Sequence, residues 1–126
     1  DLAPGMELIV RSALPEAVIA RRVRLPFRHL DTATDCNFVM RDALHIDLPA
    51  SEAAYRAFHA DWPRRVGLEA EALAALDVDL VYSNVGYLPL AAAQAAGIPC
   101  VALCSLNWAD IFAHYLGHRP GAGGAR

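Results

Sequence analysis

The hydrophobic and polar positions of this chain fall into short blocks whose period switches between two and about 3.6 residues. Met6-Glu7-Leu8-Ile9-Val10-Arg11 is a β-branched run ending at Ser12, and Phe27-Arg28-His29-Leu30-Asp31 alternates apolar with polar; both predict strands. Between them Pro15 opens a helix over 16–22, the usual place for a first-turn proline. Residues 32–49 give mixed signals: Thr34-Asp35-Cys36-Asn37 reads as a loop, and Ala43-Leu44-His45-Ile46-Asp47 fits neither period. Ser51 suits a helix N-cap, with Glu52 in the first turn. Ala54, Phe58, Trp62, Val66, Leu68, Leu73 and Leu76 then carry an apolar stripe to about residue 76, and Pro63 predicts a kink in it.

The second half is more regular. It reads as a strand over 80–83, a helix over 88–96, a strand over 100–105 and a helix over 108–116 closed by Gly117. Residues 118–126, rich in glycine and alanine, read as a flexible tail after a single domain over 1–117. The order is βαβ, an irregular stretch, then αβαβα. Such alternation predicts an α/β fold, a Rossmann-like parallel sheet with helices on both faces and right-handed connections. The chain carries no internal repeat, no G-x-G-x-x-G and no Walker-type loop. The uncharged run 85–106 nominally reaches membrane-spanning length, but Pro89, Gln94, Gly97 and Pro99 divide it, so it reads as core and not as a span.

Composition narrows the classes. Hydrophobic residues are 56% of 126 and the net charge is -3, which describes a globular protein and argues against nucleic acid. All 11 basic side chains are arginine, and Arg21, Arg22 and Arg24 read as a solvated helix end. Cys36, Cys100 and Cys104 make an odd count without metal-ligand spacing. On one strand Cys100 and Cys104 would share a face about 13 Å apart, too far to bridge. Buried, reduced thiols and the absence of a secretory pattern in residues 1–5 lead to the expectation of a cytoplasmic protein.

Open α/β sheets bind ligands beside the carboxyl ends of their strands. Asn84 and Tyr87 follow one such end; Ser105, Asn107, Trp108 and Asp110 follow the next. With Gly86 they would form one rim offering amide, hydroxyl and indole donors beside an aromatic face, suited to a polar, ring-shaped ligand. Ser105 or Asn107 also suits the cap of the last helix, and Asp110 its first turn. Tyr87 is as well explained by packing as by a ligand. Asp110, His114 and His118 are spaced as if for metal, but Gly117 interrupts the helix and no fourth ligand follows, so no metal is expected. Asp35 could reach the same rim, although a turn role explains it more simply. His29, His45 and His59 read as structural, and Trp62 within Asp61-Trp62-Pro63-Arg64-Arg65 as a core anchor.

Asp79-Leu80-Val81-Tyr82-Ser83-Asn84, Ala96-Gly97-Ile98-Pro99 and Ser105-Leu106-Asn107-Trp108-Ala109-Asp110-Ile111 resemble the N-terminal domain of glycosyltransferases built from two Rossmann-like domains. The nearest resemblance is to a glycosyltransferase-like group related to the N-terminal region of plant arabinokinases, and it covers Glu7 to Leu116. It implies an acceptor-side domain, with a nucleotide-sugar donor held mainly by a second domain and no cofactor held by this chain. Two departures stand out. The family's first strand and its glycine- and histidine-rich turn, which supplies the base, have no counterpart here, so the sheet is expected to lack its first strand-helix unit. The family's Ser-Asp strand end is Ser83-Asn84, and an asparagine cannot hold the negative charge that stabilises a protonated histidine.

The resemblance therefore implies an acceptor-side fragment that is inactive alone, without an identified catalytic residue, whose parent takes a small-molecule or glycan acceptor. Without the first strand, the strands over 6–11 and 80–83 must pair with each other or leave open edges, with self-association as a consequence. The alternative is a non-catalytic α/β interaction module completed by a partner chain. A flavodoxin-like nucleotide-binding domain is a third reading, opposed by the lack of an anion-binding loop.

Overall fold

The computed structural model describes residues 5–105 and 108–117. Its elements are β1 (Leu8–Arg11), α1 (Glu16–Ile19), β2 (Phe27–Leu30), α2 (Leu48–His59), α3 (Trp62–Ala75), β3 (Val81–Ser83), α4 (Leu88–Ala96), β4 (Cys100–Ala102) and α5 (Trp108–Leu116). Each strand pair is parallel and joined through a helix, which makes the chain an α/β protein of Rossmann-like type. The strands form two two-stranded sheets, β1–β2 and β3–β4. The chain divides into two compact units, residues 1–34 and 35–126.

In the first unit Leu8 pairs with Phe27 and Arg11 with Leu30. The Ser12 N–H continues the ladder to the Leu30 carbonyl at 3.1 Å, and His29 Nε2 donates to the Ser12 carbonyl at 2.9 Å. Helix α1 is a single turn in which Ile19 is buried.

In the second unit the long helix expected from Ser51 to Leu76 is two helices. Proline at the second position of a helix is tolerated, but Pro63 has no N–H to give His59 and its ring crowds that carbonyl, so α2 stops and α3 starts afresh at Trp62. The cap of α2 is Asp47, not Ser51: the Asp47 carboxylate accepts from the Ala50 N–H at 3.1 Å. Ser51 is instead fully buried, and its Oγ accepts from the Val39 N–H at 2.9 Å. The undecided stretch 40–46 is a small antiparallel turn bridged at Met40 and Ile46. Asp42 organises it by accepting from the Leu44 and His45 N–H groups, and its carboxyl is held below the usual range chiefly by the Leu44 bond, then by the His45 ring.

The β3–α4–β4 unit follows its sequence signals closely. Pro89 opens α4, and Gly97 closes it at φ 71°, with the Ile98 N–H reaching the Ala93 carbonyl in a Schellman arrangement. Strand β4 ends at Ala102 and does not extend to 105. Consequently Cys104 leaves the strand; it is exposed, Cys100 half-buried, and only Cys36 fully buried, all three as free thiols. Side-chain alternation divides the β3–β4 sheet sharply. Val81 and Ser83 are buried, whereas Tyr82 and Val101, paired across the strands, are 58% and 48% exposed, with Leu80 and Leu103 beside them also exposed.

Two clusters make the interior of this unit. Leu73, Val81, Ala92 and Ala93 bring α3, α4 and β3 together, with Ala70, Val78, Ile98 and Cys100 at the border. Cys36, Phe112 and Leu116 form the other, bordered by Phe38, Leu48, Tyr55, Phe58 and Trp108. Among the described residues no helix is long and apolar enough to cross a membrane.

Candidate functional site

A pocket of about 390 Å³ opens at the carboxyl ends of β3 and β4, the position that an α/β sheet predisposes for ligands. The loop after β3 contributes Val85 and Tyr87, and α4 contributes Leu90. Ala102 and Cys104 come from the end of β4, Trp108 from the first residue of α5. Helix α2 adds Tyr55 and His59, one turn apart on the same face, and α3 adds Trp62 across the proline break. A larger, shallower hollow of about 540 Å³ lies between the Asp42 turn and Tyr115. It lacks a comparable set of ring faces and adjoins no strand end.

The polar centre of the pocket is a relay of three residues. His59 Nδ1 lies 2.8 Å from the Tyr55 carbonyl, which can only accept, so Nδ1 carries a proton. In the neutral ring Nε2 then accepts from the Tyr87 hydroxyl at 3.0 Å. Burial raises the Tyr87 phenol well above its ordinary range, reinforced by Tyr55, Cys36 and Asp35, so it stays a hydrogen-bond donor. Tyr87 lies near-parallel to His59, with interplanar angle 10° and centroids 5.6 Å apart. On Trp62 the His59 ring stacks at 27° and 5.3 Å. Phe58 packs edge-on to Tyr87, and the Arg65 guanidinium sits 4.6 Å over the Phe58 ring.

The turn that delivers Tyr87 is strained. Val85 adopts φ 73°, a left-handed conformation that a β-branched residue rarely takes. Next to it Gly86 is required by space: a Cβ there would lie 2.7 Å from Asp35 Oδ1 and 3.0 Å from Ser83 Oγ. Ser83 Oγ donates to the Gly86 carbonyl at 2.6 Å and holds the turn closed. Asp35 thus reaches the β3 rim rather than serving a local turn. Burial raises its carboxyl above the usual range, and among the described residues its Oδ1 has no hydrogen-bond partner. The Trp108 Nε1–H is likewise buried without a partner among the described residues.

The candidate rim residues separate. Tyr87 and Trp108 line the pocket, both half-buried. Asn84, Ser105 and Asp110 are exposed and outside its lining, with Asp110 in the first turn of α5. Asn107 and His118 lie outside the described residues. His59, read from the sequence as structural, and Trp62, read as a core anchor, both line the pocket, where the α2–α3 break brings them. A signal existed in the spacing: Tyr55, His59 and Trp62 recur at four and three residues, an aromatic stripe ending at a proline. His45 pairs with Asp42 at 2.8 Å and lies outside this pocket. Among the described residues no cluster of three or more His, Cys, Asp or Glu side chains could hold a metal ion.

Comparison with known proteins returned one distant likeness. Over 118 residues the chain is 31% identical to a protein of Arabidopsis thaliana named L-arabinokinase, a sugar kinase by that name. The match takes in 91% of this chain but 11% of that protein, so the chain spans about a ninth of its length. No family model matches the sequence, and no solved structure matches it.

Proposed function

We propose that this chain is the acceptor-side domain of a nucleotide-sugar-dependent glycosyltransferase-like protein of the cytoplasm, binding a small-molecule or glycan acceptor and inactive alone. The observation that carries this reading is the ring-lined pocket at the carboxyl ends of β3 and β4. Aromatic faces stack against the C–H face of a sugar ring or against another flat ring, and the His59–Tyr87 pair supplies an orienting polar contact. The distant likeness to a sugar kinase supports a carbohydrate-handling parent.

Inactivity follows from the same chemistry. Both His59 ring nitrogens are engaged within the protein, so among the described pocket groups no imidazole nitrogen is left open to an acceptor hydroxyl. The sequence offers no glycine-rich phosphate cradle, and Asn84 stands where a charge-bearing aspartate would be needed. In this reading the nucleotide-sugar donor is bound elsewhere in the parent protein. The test is to incubate the purified chain with UDP-glucose and a panel of ring-bearing acceptors, glycosides and aromatic alcohols among them, while following the Trp62 and Trp108 indole N–H resonances. Expected are ligand-dependent shifts with neither transfer nor nucleotide-sugar hydrolysis; turnover that disappears in Trp108→Ala would overturn the claim of inactivity.

The exposed side of the β3–β4 sheet favours a second reading, an interaction module. Leu80, Tyr82, Val101 and Leu103 present a contiguous apolar face of the kind that marks association surfaces. A stable dimer dispersed by Tyr82→Glu, with no ring compound bound by the pocket, would select this reading.

A further inference from the structure

The pocket is ring-lined, yet among the described residues it offers a ligand little hydrogen bonding. His59 has both nitrogens occupied, one by the Tyr55 carbonyl and one by Tyr87. The exposed polar residues Asn84, Ser105 and Asp110 stand outside the lining. A free monosaccharide carries a hydroxyl on nearly every carbon, and each one buried without a partner costs binding energy. A ligand complementary to Trp62, Trp108, Tyr87 and Leu90 is instead flat and mostly apolar.

The Trp108 Nε1–H has no partner among the described residues but is sealed from solvent, and the Cys104 thiol bonds weakly, so the Tyr87 hydroxyl is a principal polar group left to a ligand. Because the Tyr87 O–H is directed to His59 Nε2, the lone pairs of the phenol oxygen stay available to accept. Burial keeps the Tyr87 phenol protonated near neutrality, so this acceptor is a neutral oxygen, and a hydroxyl is a donor that reaches it without burying a charge in an apolar pocket. We infer that the pocket selects a flat, largely apolar ring compound carrying a hydroxyl that donates to the Tyr87 oxygen, and so excludes free sugars. This rests on the acceptor-side reading above and names the acceptor's chemical class within it.

The inference is tested by titration calorimetry of the full chain with 2-naphthol, 2-methoxynaphthalene and L-arabinose, with indole N–H shifts reporting the location. 2-Naphthol is expected to bind more tightly than L-arabinose and to move the Trp62 and Trp108 signals. 2-Methoxynaphthalene keeps the ring and loses the donor, and is expected to bind about fivefold more weakly, the worth of one net hydrogen bond. That preference should vanish in Tyr87→Phe, while Trp62→Ala weakens both ligands. The naphthol comparison on the unaltered chain stands even if a variant fails to fold.

Tighter binding of L-arabinose at the same indoles overturns this inference and leaves the acceptor-side reading in place. Equal affinity for the two naphthalenes overturns the role of the Tyr87 oxygen. Binding that leaves the indole signals unmoved places the ligand elsewhere and overturns the inference. Absence of binding by all three overturns both the inference and the acceptor-side reading.

Discussion

The two clusters of the 35–126 unit solve the problem of burial in opposite ways. Where α3, α4 and β3 meet, Ala92 and Ala93 are entirely buried, and the helices approach closely over side chains with no polar atoms. Around Phe112 the space is filled by large rings: Phe38 tilts onto Phe112 at 4.6 Å and meets Trp108 edge-on at 5.8 Å, while Tyr55 packs on Phe112 at 4.4 Å. Small side chains leave no room for adjustment, whereas rings can shift in plane and still touch. The ring cluster also borders the pocket through Tyr55 and Trp108, both of which line it. Close packing and pocket lining thus fall to different parts of one unit.

Changing the side-chain volume on each side should separate them most clearly. Ala92→Leu is expected to cost about 3 kcal/mol, because close-packed helices must part to admit three carbons. Phe112→Leu, which keeps most of the apolar volume, should cost about 1 kcal/mol. Thermal melts of the two variants check the contrast, and equal losses would break it.

The ring cluster nevertheless has one fixed point. Ser51 Oγ holds the Val39 N–H and thereby the segment that carries Phe38. Ser51→Ala leaves that donor without its partner and is expected to lower stability by about 2 kcal/mol. A denaturant midpoint unchanged by the substitution would show that the Phe38 segment is held by its ring contacts alone.

A smaller effect should come from Asp35, next to Cys36 at the border of the ring cluster. Burial lifts its carboxyl above the usual range, so the native state holds the proton more tightly than the unfolded chain does. Stability therefore falls as pH rises from the ordinary carboxylate range through the raised native value, and the penalty is fully present above it. Asp35→Asn is expected to raise the melting temperature at pH 7, with the gain shrinking as pH drops through the raised native value and gone below about 4. A gain independent of pH would assign the effect to packing and not to charge.

The aliphatic cluster was the legible one. Pro89, Gly97 and the Ile98-Pro99 connection mark α4 and β4 within a residue at their facing ends, because those signals act through local backbone geometry. Pro63 announced a disturbance, but whether a proline bends a helix or divides it depends on what the two halves pack against. Ser51 was misread for a related reason: its hydroxyl serves a strand-like segment twelve residues earlier, and Asp47, in a stretch without periodicity, takes the cap. His59 finds Tyr87 across 28 residues, a pairing that no local pattern encodes. The sequence expectation put the candidate rim on polar residues after β3 and β4, whereas the pocket at those strand ends is lined mostly by rings.

The strand pairing has a further consequence, in time rather than in space. Leu8 meets Phe27 and Val81 meets Cys100, and each pair is 19 positions apart. A single continuous parallel sheet must wait for distant strands to find one another, whereas these pairs each close one short loop through one helix. Both closures carry nearly the same entropic cost, since that cost depends on loop length. Each βαβ segment can therefore gain its pairing without waiting for the other.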